Sequence, residues 1–177
     1  MGRALNGDND SFEAGLVEKI MLTLPLMFRP ARGSDAALLT DIAFAGKRVW
    51  GYPEAWLEWW RHDLVVTPHY IHSEPVQIAE FDGAVVGFVG LSTQDKVRYL
   101  EHLWLWPENI GRGFGRALFA EAARLARVEG QRELRINSDP NAEPFYLKMG
   151  AIRIGQEIYD LPGGIRRDVP RLVYSIK

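Results

Sequence analysis

The run Pro107-Glu108-Asn109-Ile110-Gly111-Arg112-Gly113-Phe114-Gly115-Arg116-Ala117-Leu118 lies between a Trp-rich apolar stretch and an amphipathic helix, and it constrains this chain more than any other segment. Glycines at alternate positions let successive backbone N–H groups turn inward with no Cβ in the way. The helix that follows aims the positive end of its dipole at the same spot. Such a place holds a pyrophosphate. Spacing excludes two familiar devices of this kind. A Walker A loop ends in Gly-Lys-Ser/Thr, whereas Gly115 is followed by Arg116 and Ala117. The dinucleotide fingerprint Gly-x-Gly-x-x-Gly fails too, because Arg116 or Leu118 stands where its third glycine belongs. Taken alone, the loop also fits a glycine-rich turn that merely leads the chain into a helix.

A length of 177 residues suits one domain over residues 25–177 with an N-terminal extension over residues 1–24. The formal charge of −2, with acidic and basic residues mixed, gives no basic stripe and so no nucleic-acid partner. The chain has no cysteine, which excludes thiolate metal sites and a cysteine nucleophile, so the nucleophile must come from the substrate. His62, His69 and His72 lack metal-ligand spacing, and no metal is expected. The apolar run from Ile20 to Phe28 is too short to span a bilayer and is broken by Thr23 and Pro25. It follows Asp8, Asp10 and Glu13 rather than a basic segment, so no membrane anchor or secretory signal is expected and the cytoplasm is the default location.

Periodicity outlines the elements. Leu26 to Ala31 predicts a short strand, Ser34 an N-cap, and Leu38, Leu39, Ile42 and Ala43 a helix to about Phe44. An aromatic turn from Lys47 to Pro53 precedes a second helix carrying Trp56, Leu57, Trp59 and Trp60. Val76 to Phe81 and Ala84 to Leu91 flank Asp82-Gly83, a hairpin signal, and Val97 to Trp106 continues the antiparallel sheet. Leu118, Phe119, Ala122, Leu125 and Ala126 mark one face of a helix ending near Gly130. Glu133 to Asn137 then lies parallel to Val97–Trp106 through a right-handed crossover. A short helix with Phe145, Tyr146 and Met149 and terminal strands at Ala151–Ile158 and Leu172–Ile176 complete a single α+β domain with a mixed, mainly antiparallel sheet.

Two separated motifs carry a family resemblance. The first is Leu103-Trp104-Leu105-Trp106-Pro107-Glu108 leading into Gly111-Arg112-Gly113-Phe114-Gly115, and the second is Phe145-Tyr146-Leu147-Lys148-Met149-Gly150-Ala151. Together they resemble the acyl-CoA signature and the Phe/Leu-Tyr-x-x-x-Gly-Phe segment of the GNAT acetyltransferase superfamily, over about Met27 to the C-terminus. Ile110 stands where the family often has Gln or Arg, Asp139 where many members have Asn, and Ala151 where an aromatic is usual. The first change leaves a backbone donor intact, while the others touch the acceptor side and helix packing.

The resemblance implies direct transfer of an acetyl group from acetyl-CoA to a primary amine of a small-molecule acceptor. It also implies a sheet splayed between the two parallel central strands with helices on both faces. Backbone groups at Leu103 and Leu105 would take the pantetheine and thioester, and those from Ile110 through Gly111, Arg112, Gly113, Phe114 and Gly115 the diphosphate. Arg112 and Arg116 sit where guanidinium groups add charge-assisted bonds. Tyr146 matches the tyrosine that serves as general acid to the leaving thiolate. Glu101 is the candidate base, since an apolar strand would desolvate it and raise its pKa, and the resemblance implies deprotonation through water as the alternative. Strand alternation places Glu101 with Leu103 and Leu105 on one face and His102 with Trp104 on the other. Trp50, Tyr52, His102 and Asp139 are candidates for the acceptor side, where aromatic rings would form a wall for a cation. An acyl-CoA-binding sensor without transfer activity is the alternative, and a structural module using exposed aromatics is a third. A homodimer through the C-terminal strands is a further expectation from the superfamily.

Overall fold

The computed structural model describes residues 26–161 and 163–177, so the N-terminal extension expected over residues 1–24 lies outside the described residues. At Asp82-Gly83 both residues have positive φ, 52° and 74°, the geometry of a tight hairpin whose twist matches its strands. The turn joins β2 (Val76–Phe81) to β3 (Ala84–Gln94), and a second such turn at Asp95-Lys96 joins β3 to β4 (Val97–Leu105). β1 (Met27–Pro30) pairs antiparallel with β2. Beyond the glycine loop come a long helix and β5 (Glu133–Asn137), which runs parallel to β4 as the crossover argument predicts.

The sheet closes with β6 (Ile152–Leu161) and β7 (Ile165–Ser175), giving seven strands in the order β1-β2-β3-β4-β5-β7-β6. This terminal hairpin is longer than the pattern suggested. β7 begins at Ile165 rather than Leu172, because Gly163 and Gly164 turn the chain directly back against β6.

Helices cover both faces. On one side lie α1 (Ala36–Arg48), α2 (Glu54–Trp59), α3 (Arg61–Leu64) and α4 (Pro68–Ser73). Their core joins Leu39, Ile42, Leu57 and Trp60 to Ile78 and Phe88 of the sheet. On the other lie α5 (Phe114–Val128) and α6 (Glu143–Lys148), with Leu118, Phe119, Ala122 and Tyr146 packed on Val89, Leu100, Leu134 and Ile136. α5 is amphipathic at the expected spacing: Leu118, Ala122 and Ala126 are fully buried while Arg116, Arg127 and Val128 face out. Among the described residues no helix is long and apolar enough to cross a membrane.

Three local expectations change. Ser34 makes no cap; a 3-10 turn over Gly33–Asp35 precedes α1, and the Asp35 carboxylate accepts from the Arg32 amide. The tryptophan-bearing helix breaks at Trp60 into α2 and α3. No element is expected over His69 to His72, and these residues lie in α4 behind Thr67, whose hydroxyl oxygen accepts the Tyr70 amide.

Candidate active site

β4 and β5 share a single register pair, Tyr99 with Arg135, and separate beyond it. The C-terminal half of β4 therefore has an open edge. The Trp106 amide donates to the Val86 carbonyl on the β3 side. Since peptide groups along a strand alternate in direction, those of Leu103 and Leu105 face the opening. α1 can lie close over β4 because Gly46 meets the Trp104 ring and the Leu105 carbonyl, where a Cβ would stand 3.0 and 3.2 Å from them.

The strand also carries a bulge. Gly90 pairs with His102 but Leu91 pairs with Leu100, leaving Glu101 as the extra residue. That breaks the alternation expected from the sequence. Glu101 shares a cavity wall with Trp104 instead of a face with Leu103 and Leu105. It is exposed, and its carboxylate accepts from Ser92 Oγ at 2.7 Å, so the desolvation anticipated for it is not present.

In the glycine loop, Gly111 and Gly113 have φ of 85° and 88°, a region that L side chains rarely adopt, and Gly113 is the N-cap of α5. Arg116 and Ala117 donate back to the Gly113 carbonyl, and the Ile110 amide is used by Pro107. Among the described residues, the amides of Gly111, Arg112, Gly113, Phe114 and Gly115 have no partner. The row of free donors thus starts one residue later than the expectation of Ile110. Phe114 itself is buried against Phe81 at 5.2 Å and anchors the loop. Arg112 is folded back, with Nη1 donating to Asn109 Oδ1 at 2.8 Å and its guanidinium over the Phe81 and Phe114 rings. Arg116 is exposed and makes no such contact.

The start of α5 meets α6 and β4 at one point. A Cβ on Gly115 would touch the Phe145 ring at 3.4 Å and Leu105 Cδ1 at 3.9 Å. Tyr146 follows with its ring 5.1 Å from Phe145 and 6.0 Å from Phe119. Burial first, and then the negative charge of Asp139, push its phenol well above the ordinary tyrosine range. Its hydroxyl has no hydrogen-bond partner among the described residues. A phenol in that state keeps its proton at neutral pH and offers it as a hydrogen bond.

On the far side lies a cavity of about 340 Å³ between α1, α3, β4 and the β6–β7 hairpin. Asp139, in the loop from β5 to α6, is its hub. Its carboxylate accepts from Lys47 Nζ at 2.5 Å, Tyr52 Oη at 2.8 Å, Arg167 Nη2 at 2.8 Å and the Asn141 amide at 2.9 Å. Burial alone would push this carboxyl up, but Lys47 and the other donors hold it below the usual aspartate value. Lys47 is lowered by burial, against the pull of Asp139. Tyr52 is pushed up to about 12, by burial and then by Asp139. The Trp60 ring carries Lys47 at 4.4 Å and Arg167 at 4.5 Å.

The acceptor-side candidates divide accordingly. Asp139 and Tyr52 come together, but the Tyr52 and Trp60 rings are occupied by the protein's own cations, so they form no vacant wall for an amine. Trp50 is exposed and lies off the cavity. His102 is 5% exposed, with Nδ1 accepting from Trp104 Nε1 at 3.2 Å and Tyr70 and Phe88 against its ring. Burial lowers its pKa to about 4, which makes it a neutral core residue rather than a substrate contact. Sequence reasoning missed Arg167 and Asn141. The only signal for Arg167 was the Gly163-Gly164 turn that starts β7 early enough to carry it back to Asp139.

The family model for the acetyltransferase (GNAT) domain matches residues 60–162. No curated protein matches the sequence. Among solved structures, a GCN5-related N-acetyltransferase from Rhodopseudomonas palustris superposes with a TM-score of 0.72 at 24% identity, covering 85% of this chain and 95% of that one. The PaiA N-acetyltransferase from Thermoplasma acidophilum, in complex with coenzyme A, gives 0.65 at 19% identity over 85% and 99%. An N-acetyltransferase from Staphylococcus aureus gives 0.60 at 15% over 86% and 99%. At these identities the likeness is one of fold.

Proposed function

The chain belongs to the GNAT acetyltransferase family, and we propose that it transfers an acetyl group from acetyl-CoA to a primary amine of a small-molecule acceptor. One observation carries this. The row of free amides from Gly111 to Gly115 adjoins Leu105 on the open edge of β4 and, through Phe145, the helix that carries Tyr146, whose phenol feels the charge of Asp139 on the acceptor-side cavity.

The residues present fit the coenzyme. Five unpartnered N–H groups at the N-terminus of a helix 15 residues long suit a diphosphate. Exposed Arg116 adds charge beside them, and the Leu103 and Leu105 peptide groups suit pantetheine amides. Bound there, acetyl-CoA supplies a thioester whose C–S bond breaks as the acceptor nitrogen forms the new C–N bond. The ammonium of the acceptor must first lose a proton, and Glu101 receives it in this proposal, which its place on the cavity wall supports. Tyr146 donates a hydrogen bond toward the departing sulfur. Its raised pKa lies above that of an ordinary thiol, so it steadies the thiolate through a shared proton rather than complete transfer.

The test pairs turnover with binding. Thiol release from acetyl-CoA over a mixed amine panel should fall about 100-fold or more in Tyr146→Phe, while the calorimetric affinity for coenzyme A changes by less than about threefold. Unaltered turnover would remove Tyr146 from the chemistry.

A further inference from the structure

Two buried cations face one buried carboxylate in the acceptor-side cavity. The side chains of Lys47, Arg167 and Asp139 are 11%, 10% and 10% exposed. All hydrogen bonds of Arg167 run through Nη2, to Tyr52 and Asp139, and Nη1 is buried without an acceptor. The other acidic residues on the cavity wall do not offset the excess. Asp63 is over half exposed and pairs with His62, and Glu101 is exposed and accepts from Ser92 on β3. A buried positive charge with unused donors is expensive unless something completes it.

The rest of the wall indicates what that is. Trp59, Trp104, Tyr159, Leu64 and Leu161 give the cavity an apolar flank, with Glu101 beside the open edge of β4. The cavity therefore combines the Glu101 carboxylate on β4, unspent guanidinium donors of Arg167 beside Asp139, and apolar surface.

We propose that the acceptor is a zwitterionic amino acid with an apolar side chain, whose carboxylate is taken by Arg167 and Lys47 while its ammonium lies toward Glu101. This rests on the acetyl-transfer function proposed above and names its substrate class. A bound carboxylate would also relieve the depression of the Lys47 pKa that burial and Arg167 produce.

The experiment titrates matched ligands into protein saturated with coenzyme A: L-phenylalanine against phenethylamine, and L-leucine against isoamylamine. Each pair differs only by the carboxylate. The amino acids should bind about 10- to 100-fold more tightly than the amines. Arg167→Lys keeps a cation against Asp139, and with it the fold, but loses the planar fork. It should weaken the amino acids about tenfold and leave the amines as in the parent. Amines that bind as well as the amino acids, or no binding of either by a protein that does bind coenzyme A, overturn this inference alone. A protein that binds no coenzyme A overturns the acetyl-transfer function as well.

Discussion

On the proposed coenzyme side, the groups available are unpartnered peptide amides from five consecutive residues, in a loop anchored by buried Phe114. On the acceptor side they are side chains far apart in the chain: Lys47 and Asp139 are separated by 92 residues, Tyr52 and Arg167 by 115. The first site is made by local backbone geometry and stands ready as soon as α5 forms. The second exists only when α1, the β5–α6 loop and β7 have all docked, so its charges also hold the fold together. Changes on the acceptor side should therefore cost stability, and changes in the glycine loop should cost affinity.

The largest effect belongs to Asp139→Asn. It leaves Lys47 and Arg167 buried without their shared anion, and urea unfolding should show a loss of about 3–5 kcal/mol. A loss below about 1 kcal/mol would mean that the cluster is not a structural keystone, and the contrast between the two sides would fail.

A second prediction concerns pH. His102, under the acceptor side, titrates at about 4 in the folded protein, against about 6.5 for an ordinary histidine. The unfolded chain thus takes up a proton that the folded one refuses. Stability falls as pH drops from about 6.5 to about 4, by about 3 kcal/mol, and this contribution is flat below that window. His102→Gln should remove that part of the slope. A parallel decline in variant and parent would place the acid sensitivity elsewhere.

The smallest effect lies on the coenzyme side. Arg116→Gln should weaken coenzyme A by about 0.5–1 kcal/mol at low salt and less at high salt, with no change in unfolding free energy. An unfolding change larger than the binding change would reverse the comparison.

The same division explains what could be read without coordinates. The glycine loop, the hairpin at Asp82-Gly83, α5 and the parallel return to β5 were legible because each is set by neighbours in sequence. The short helix that carries Tyr146 was legible because it sits in a local motif. Glu101 was placed on the wrong face because a one-residue bulge is invisible to an alternation rule. His102 was assigned to the acceptor side because burial by α4 could not be foreseen from a stretch with no periodicity. Arg167 was missed because nothing nearby in the sequence distinguishes it from Arg166 or Arg171, and only the tertiary fold brings it to Asp139. Asp139 itself was singled out, but not its pairing with Lys47 and Arg167.

The most direct test of the account is a calorimetric titration of coenzyme A into the parent protein and into Gly113→Val. A valine cannot hold the φ of 88° that keeps the loop amides aligned. Saturable binding is expected with the parent, and binding about 100-fold weaker with the variant. Absence of heat with the parent at millimolar coenzyme, or equal affinity in the two proteins, would contradict it.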